Sequence, residues 1–126
     1  MEGIRLLNEI RSLGNPLMVF TGGDPLKRPD LFQLIEQSVA LGLRTHISAS
    51  ATPRLTREVV REFKRAGVAR MDVSLNGWDR ATHDGFHGAY EKFDTAMDAL
   101  EEARDIGLET QVLTTVTARN LWDLNR

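Results

Sequence analysis

The chain has 126 residues, enough for one domain with its own core, and its 41% hydrophobic and 27% charged residues make an ordinary globular composition. A formal net charge of −2 with scattered basic residues gives no electrostatic footprint for nucleic acid, and no apolar run is long enough to span a bilayer. There are no cysteines, which excludes disulfides and any thiolate-bound metal inside this segment.

Residues 1–14 read as an amphipathic helix rather than an export leader, so the cytoplasm is the expected location. Ile4, Leu7 and Ile10 share one face, joined by Leu6 and Leu13, and Gly14 fits the C′ position. Asn15-Pro16 turns the chain into a strand over Leu17–Thr21. That strand ends abruptly in Gly22-Gly23-Asp24-Pro25. Paired glycines let a ligand approach bare backbone, and Asp24 offers a carboxylate at the same opening. A tight turn with a capping Asp is the competing reading. Pro29 suits the first turn of a second helix, with a stripe of Leu31, Leu34, Ile35 and Val39 that ends at Gly42. Arg44–Ser50 is a short strand. Thr56 is a good N-cap for a third helix, Leu55 can staple onto Val60, and Val59, Val60 and Phe63 face inward. After Gly67 comes a strand over Arg70–Asn76, then a loop holding Gly77, Gly85 and Gly88. Tyr90, Phe93, Met97, Leu100 and Ala103 mark a long helix that ends at Gly107. Glu109–Val116 is the last strand, and Asn120 opens a further helix.

Strands separated by helices imply right-handed crossovers and a parallel sheet. In His46-Ile47-Ser48-Ala49-Ser50 and Met71-Asp72-Val73-Ser74-Leu75-Asn76 polar and apolar residues alternate. One face therefore packs under helices and the other is polar, which suits an open, partly hydrated lumen. An antiparallel sheet with one wet face is opposed by the intervening helices. The expected fold is α/β: half of a parallel βα barrel with about four strands.

Several residues have two readings. His83, Asp84 and His87 have metal-like spacing, but Gly85 and Gly88 argue for a hydrogen-bonded loop. Asp72 in the lumen is a general acid or base, or else a partner of Arg70 or a lysine. His46 at a strand start reads as a satisfied partner. Trp78 and Trp122 read as covers for core edges. Gly22-Gly23 lacks the Lys-Ser/Thr ending of a phosphate-binding loop.

The order of the motifs resembles the core of radical S-adenosylmethionine (radical SAM) enzymes, in the branch with molybdenum-cofactor, peptide-maturation and heme-modifying members. Thr21-Gly22-Gly23-Asp24-Pro25-Leu26 resembles the family's Gly-Gly-Glu-Pro motif, followed by Arg28-Pro29-Asp30-Leu31. Ser50-Ala51-Thr52 stands where the family often has Thr-Asn-Gly. Val73-Ser74-Leu75-Asn76-Gly77, with His83-Asp84 after it, resembles Val-Ser-Leu-Asp-Gly and its downstream His-Asp. Thr115-Val116-Thr117 and Asn120 resemble the fifth strand and the Asn after it.

The resemblance implies S-adenosylmethionine as cofactor, with Gly22, Gly23 and Asp24 on its methionyl ammonium. Ser50 and Ser74 would hydrogen-bond its ribose or carboxylate, with Thr114 a weaker contact. It also implies a four-iron, four-sulfur (4Fe-4S) cluster on a Cys-x₃-Cys-x₂-Cys motif, which this sequence lacks. The expectation is a partial core over residues 1–126, truncated at both ends, taken from an oxidoreductase that abstracts hydrogen from a substrate. A cluster-free module that binds S-adenosylmethionine is the alternative. His87 stands where relatives commonly carry Arg. Four strands closed on nothing should leave sheet edges through which copies associate.

Overall fold

A computed structural model describes residues 2–88 and 92–125. Four strands, β1 (Met18–Phe20), β2 (Thr45–Ala49), β3 (Arg70–Ser74) and β4 (Glu109–Leu113), form one sheet in the order β1-β2-β3-β4. All three pairings are parallel, with Phe20 opposite Ile47, Ser48 opposite Asp72 and Asp72 opposite Gln111. Helices α1 (Glu2–Leu13), α2 (Leu31–Ala40), α3 (Arg57–Ala66), α4 (Arg80–His87) and α5 (Lys92–Ile106) supply the crossovers and the N-terminal cover. This is the expected half of a parallel βα barrel.

The alternation along the middle strands sets the core. Ile47, Met71 and Val73 point under the helices and are fully buried against Ile35, Val60 and Phe63. Burying each such side chain contributes roughly 1.5–3 kcal/mol. Phe32 stacks on Phe63 with ring centroids 5.5 Å apart, which joins α2 to α3. Ala96, Ala99 and Ala103 of α5 are completely buried, so small side chains let this helix lie close to the sheet. Ion pairs lace the outside of α3 to α5. Arg57 meets Asp98 and Glu101, each at 2.9 Å, and Arg61 Nε donates to the buried Glu102 at 2.6 Å.

Local signals explain most element ends. Thr56 Oγ1 accepts from Val59 N at 3.2 Å and caps α3, while Leu55 and Val60 are both buried beside it. Pro29 does not open a helix. Pro25–Lys27 forms a separate 3₁₀ turn, and α2 starts at Leu31 with Asp30 at its N-cap position. The start signals belong to that 3₁₀ turn: the Asp24 side chain accepts from Leu26 N, and Pro25 fills its first position.

The segment after β3 is a second correction. Gly85 lies inside α4 rather than in a loop, and only Gly88 ends the helix, in a left-handed conformation. Asp79 caps α4 by accepting from Thr82 N at 2.8 Å. That cap, with tertiary packing, outweighs one helical glycine, which costs about 1 kcal/mol. Tyr90 lies outside the described residues.

The strands are shorter than expected, β4 ending at Leu113 and β1 at Phe20. In α1 only Leu7 is fully buried, and Leu6 and Leu13 are exposed. Asn120 opens a 3₁₀ turn over Leu121–Asp123. Trp78 and Trp122 are more than half exposed. Among the described residues no helix is long and apolar enough to cross a membrane.

Candidate functional site: the carboxyl ends of the strands

Every parallel strand delivers its carboxyl end to the same rim of the sheet, where ligands bind in open α/β folds. Gly22, Gly23 and Asp24 follow β1, Ser50 follows β2, Ser74 ends β3 and Thr114 follows β4. The topology therefore gathers all six candidate residues at one rim.

The β1–β2 side of the rim is tied together. Gly22 has φ of 133°, which an L side chain rarely adopts. A Cβ built on Gly22 or Gly23 would meet nothing within 4 Å, so this backbone faces open space. Ser50 Oγ donates to the Gly23 carbonyl at 2.6 Å. Asp24 Oδ1 accepts from Leu26 N at 3.0 Å, and Oδ2 accepts from Thr52 Oγ1 at 3.0 Å. Two donors hold the carboxylate in place and leave lone pairs free, since an ionised carboxylate has about four acceptor sites. A fixed anion beside open backbone and a carbonyl suits an ammonium group.

The β3–β4 side is built differently. Thr114 Oγ1 donates to Leu75 O at 2.8 Å. Ser74 is half-buried and pairs across to Leu113. Among the described residues no hydrogen bond joins Ser74 or Thr114 to the Gly22–Asp24 loop. A shallow cavity of about 190 Å³, lined by Asn76, Gly77, Thr114 and Asp123 among others, opens beside Thr114.

Below this rim, the polar face of the sheet is lined by His46, Ser48, Asp72 and Gln111. Arg70 does not pair with Asp72. It turns to Glu109 and to Gln111 Oε1 instead, leaving Asp72 Oδ1 buried without a hydrogen-bond partner. His46 Nε2 accepts from Arg44 Nε at 3.3 Å, as expected of a satisfied partner. Burial, and then the Arg70 cation, hold the His46 pKa below the ordinary histidine value.

Two features escaped the sequence reading. Thr52, read only as part of a Ser-Ala-Thr slot, supplies the hydroxyl that fixes Asp24. The second is a buried cluster around Asn76. His83 Nδ1 accepts from Asn76 N at 2.9 Å, His87 Nε2 meets Asn76 Nδ2 at 3.0 Å, and Thr115 N donates to Asn76 Oδ1 at 2.8 Å. Asn120 Nδ2 donates to Asn76 O at 3.1 Å and to Thr115 O at 2.8 Å. The four-residue spacing of the histidines was visible, but their partners lie on other elements. Among the described residues no three His, Asp or Glu side chains gather as a metal site.

The chain is 39% identical over 120 residues to an AdoMet-dependent heme synthase of Nitratidesulfovibrio vulgaris, covering 95% of this chain and 32% of that protein. It is 34% identical over 125 residues to an AdoMet-dependent heme synthase of Methanosarcina barkeri, covering 99% of this chain and 36% of that protein. A PqqA peptide cyclase of Bradyrhizobium diazoefficiens is 29% identical over 126 residues, which are 98% of this chain and 32% of the cyclase. The chain thus spans about a third of the length of these curated relatives. The family model for the radical SAM superfamily matches residues 2–124, and the chain belongs to that superfamily.

Proposed function

We propose that this chain forms the S-adenosylmethionine-holding half of a radical SAM oxidoreductase. The observation that carries the reading is the Gly22–Asp24 loop: open backbone, a carbonyl, and a carboxylate fixed by Leu26 N and Thr52 Oγ1. Asp24 and the Gly23 carbonyl would take the methionyl ammonium. Ser50, which braces Gly23, would shape that pocket and offer its remaining lone pairs to the ribose or carboxylate. Ser74 and Thr114 would line the opposite side of the rim.

The residues do not fit an iron–sulfur cluster. Cluster ligation depends on cysteine thiolate, and this chain has none. Cluster ligands would have to come from residues other than these. S-adenosylmethionine, when cleaved reductively, supplies a 5′-deoxyadenosyl radical that abstracts hydrogen from a substrate. Two relatives at 39% and 38% identity are named heme synthases, so a tetrapyrrole is the first substrate class to test in the whole protein.

The cysteine-free composition favours a second reading, a module that binds S-adenosylmethionine without chemistry. The reading frame upstream of the Met1 codon separates the two. An in-frame Cys-x₃-Cys-x₂-Cys supports the oxidoreductase, and its absence favours the module. Both need the ligand to bind here. Calorimetry with S-adenosylmethionine should give heat that Asp24→Ala abolishes. No detectable heat at millimolar ligand would reject both.

A further inference from the structure

We propose that Asn76 is the positioning residue of the β3–β4 side of the rim, and that it works only while His83 and His87 are both neutral. The proposal rests on the reading of this rim as an S-adenosylmethionine site, because it assigns the geometry of Ser74 and Thr114 to a cluster behind them.

Asn76 is 3% exposed, and each of its hydrogen-bonding groups is engaged by a different residue. Its backbone N–H goes to His83 and its backbone carbonyl to Asn120. Its side-chain oxygen takes the Thr115 N–H, and its side-chain nitrogen faces His87 Nε2. Asn76 therefore links the ends of β3 and β4, α4 and the 3₁₀ turn at Leu121–Asp123. It lies two residues beyond Ser74, and Thr115 adjoins Thr114.

The bonds dictate the protonation of both rings. The Thr115 N–H can only donate, so Asn76 Oδ1 is the atom facing it and Nδ2 must face His87. Nδ2 is a donor, so His87 Nε2 is the acceptor and its proton sits on Nδ1. The Asn76 N–H likewise requires a bare Nδ1 on His83, so that ring carries its proton on Nε2. Two histidines with ring centroids 4.6 Å apart thus hold opposite neutral tautomers. Protonating either one sets a donor against a donor.

Burial favours neutral rings, and it does so although the Nε2–H this assigns to His83 is buried without a hydrogen-bond partner. His83 is completely buried, and burial, then the neighbouring His87, hold its pKa below the ordinary value. Burial, then Lys92, do the same for His87. Asp84 on the same helix opposes this for both, but its Oδ1 also takes the Phe93 N–H at 2.9 Å. From the strand side the group facing both rings is Asn76, through its N–H and its side-chain amide. Asp123 accepts from the Trp78 N–H.

The sign follows directly. Lowered histidine pKa values mean that the cluster is intact above the ordinary histidine pKa and is lost as pH falls through the folded-state values. S-adenosylmethionine affinity should then fall with acidification, approaching tenfold per pH unit below those values for each proton taken up.

The test is run on the 126-residue chain, with S-adenosylmethionine affinity measured from pH 7.5 down to 5 and ring ¹⁵N spectra recorded in parallel. His83 should show the Nε2–H tautomer, His87 the Nδ1–H tautomer, and the Thr115 amide should lose exchange protection as they titrate. His87→Ala should weaken binding at pH 7.5. His83→Asn with His87→Gln keeps both acceptors without titration, so it should recover that binding and flatten its pH dependence. Identical tautomers, or a double variant that keeps the pH dependence, would overturn the proposal. Absence of ligand binding at every pH would reject the cofactor reading instead. In that case the tautomers and Thr115 protection still decide whether Asn76 holds the strand ends as described.

Discussion

Thr52 Oγ1 donates to Asp24 Oδ2 at 3.0 Å, joining residues 28 positions apart in the chain. This bond and the Leu26 N–H fix one carboxylate at the open end of β1, and so connect the shape of the loop to its charge.

Asp24→Ala should therefore act twice. Losing the cap of the Pro25–Lys27 turn should cost about 1 kcal/mol of stability. It should also remove the anion proposed to hold the methionyl ammonium. Denaturant unfolding reads the first effect and calorimetry with S-adenosylmethionine the second. Thr52→Val keeps the carboxylate and releases it from one donor, so it should weaken binding less than Asp24→Ala does.

Gly77 is required by close approach. A methyl group there would overlap the backbone nitrogen of His83 and come within 2.7 Å of Thr82 Cβ. Gly77→Ala should destabilise the chain by roughly 1–3 kcal/mol, because the clash involves backbone. A shift in denaturant midpoint with unchanged slope checks this. Gly23→Ala meets nothing, so a large stability loss there would contradict the open rim.

The sheet and its helices were legible in the sequence because polar and apolar residues alternate along β2 and β3, although burial itself extends to polar positions such as His46 and Asp72. Gly22-Gly23-Asp24 was legible as an opening because glycines and an acid end an apolar run. α4 was not, because Gly85 reads as a breaker: the Asp79 cap three residues before Thr82 was a local signal left unread, and the burial of His83 is a tertiary fact. Thr52 and Asn120 were illegible as partners for the same reason. Their bonds span 28 and 44 positions, and no local pattern records such distances. Asp72 reads as an acid or base or else as a partner of Arg70 or a lysine; the two side chains share one face of β3, but Arg70 is drawn across the strand pairing to Glu109 and Gln111 on β4, which the local pattern does not record.

Stability should fall on mild acidification. His46, His83 and His87 all have lowered pKa values, chiefly through burial. The stability linked to their neutral forms is present above the ordinary histidine pKa and is lost as pH drops below it. Unfolding midpoints at pH 7.5 and 5.5 should differ in that direction. A second loss should follow in the carboxylate range, where Arg-paired Asp30, Glu58, Asp94 and Glu109 become protonated.

Self-association is expected through β4. All five of its residues are exposed, Val112 and Leu113 present apolar side chains along it, and the exposed Val116 follows just beyond its end. An unpaired edge of this kind is a template for another chain. Sedimentation should show a concentration-dependent mass that Val112→Lys reduces. A monomer at every concentration would rule this out.

The central claim is that S-adenosylmethionine lies along this rim, and amide chemical-shift mapping of the ¹⁵N-labelled chain tests it most directly. Titration with S-adenosylmethionine should move Gly22, Gly23, Asp24, Ser50, Ser74 and Thr114 together, with one saturation curve. S-adenosylmethionine that moves none of them, or that moves only residues on the helical face such as Phe32 and Arg65, would contradict the account.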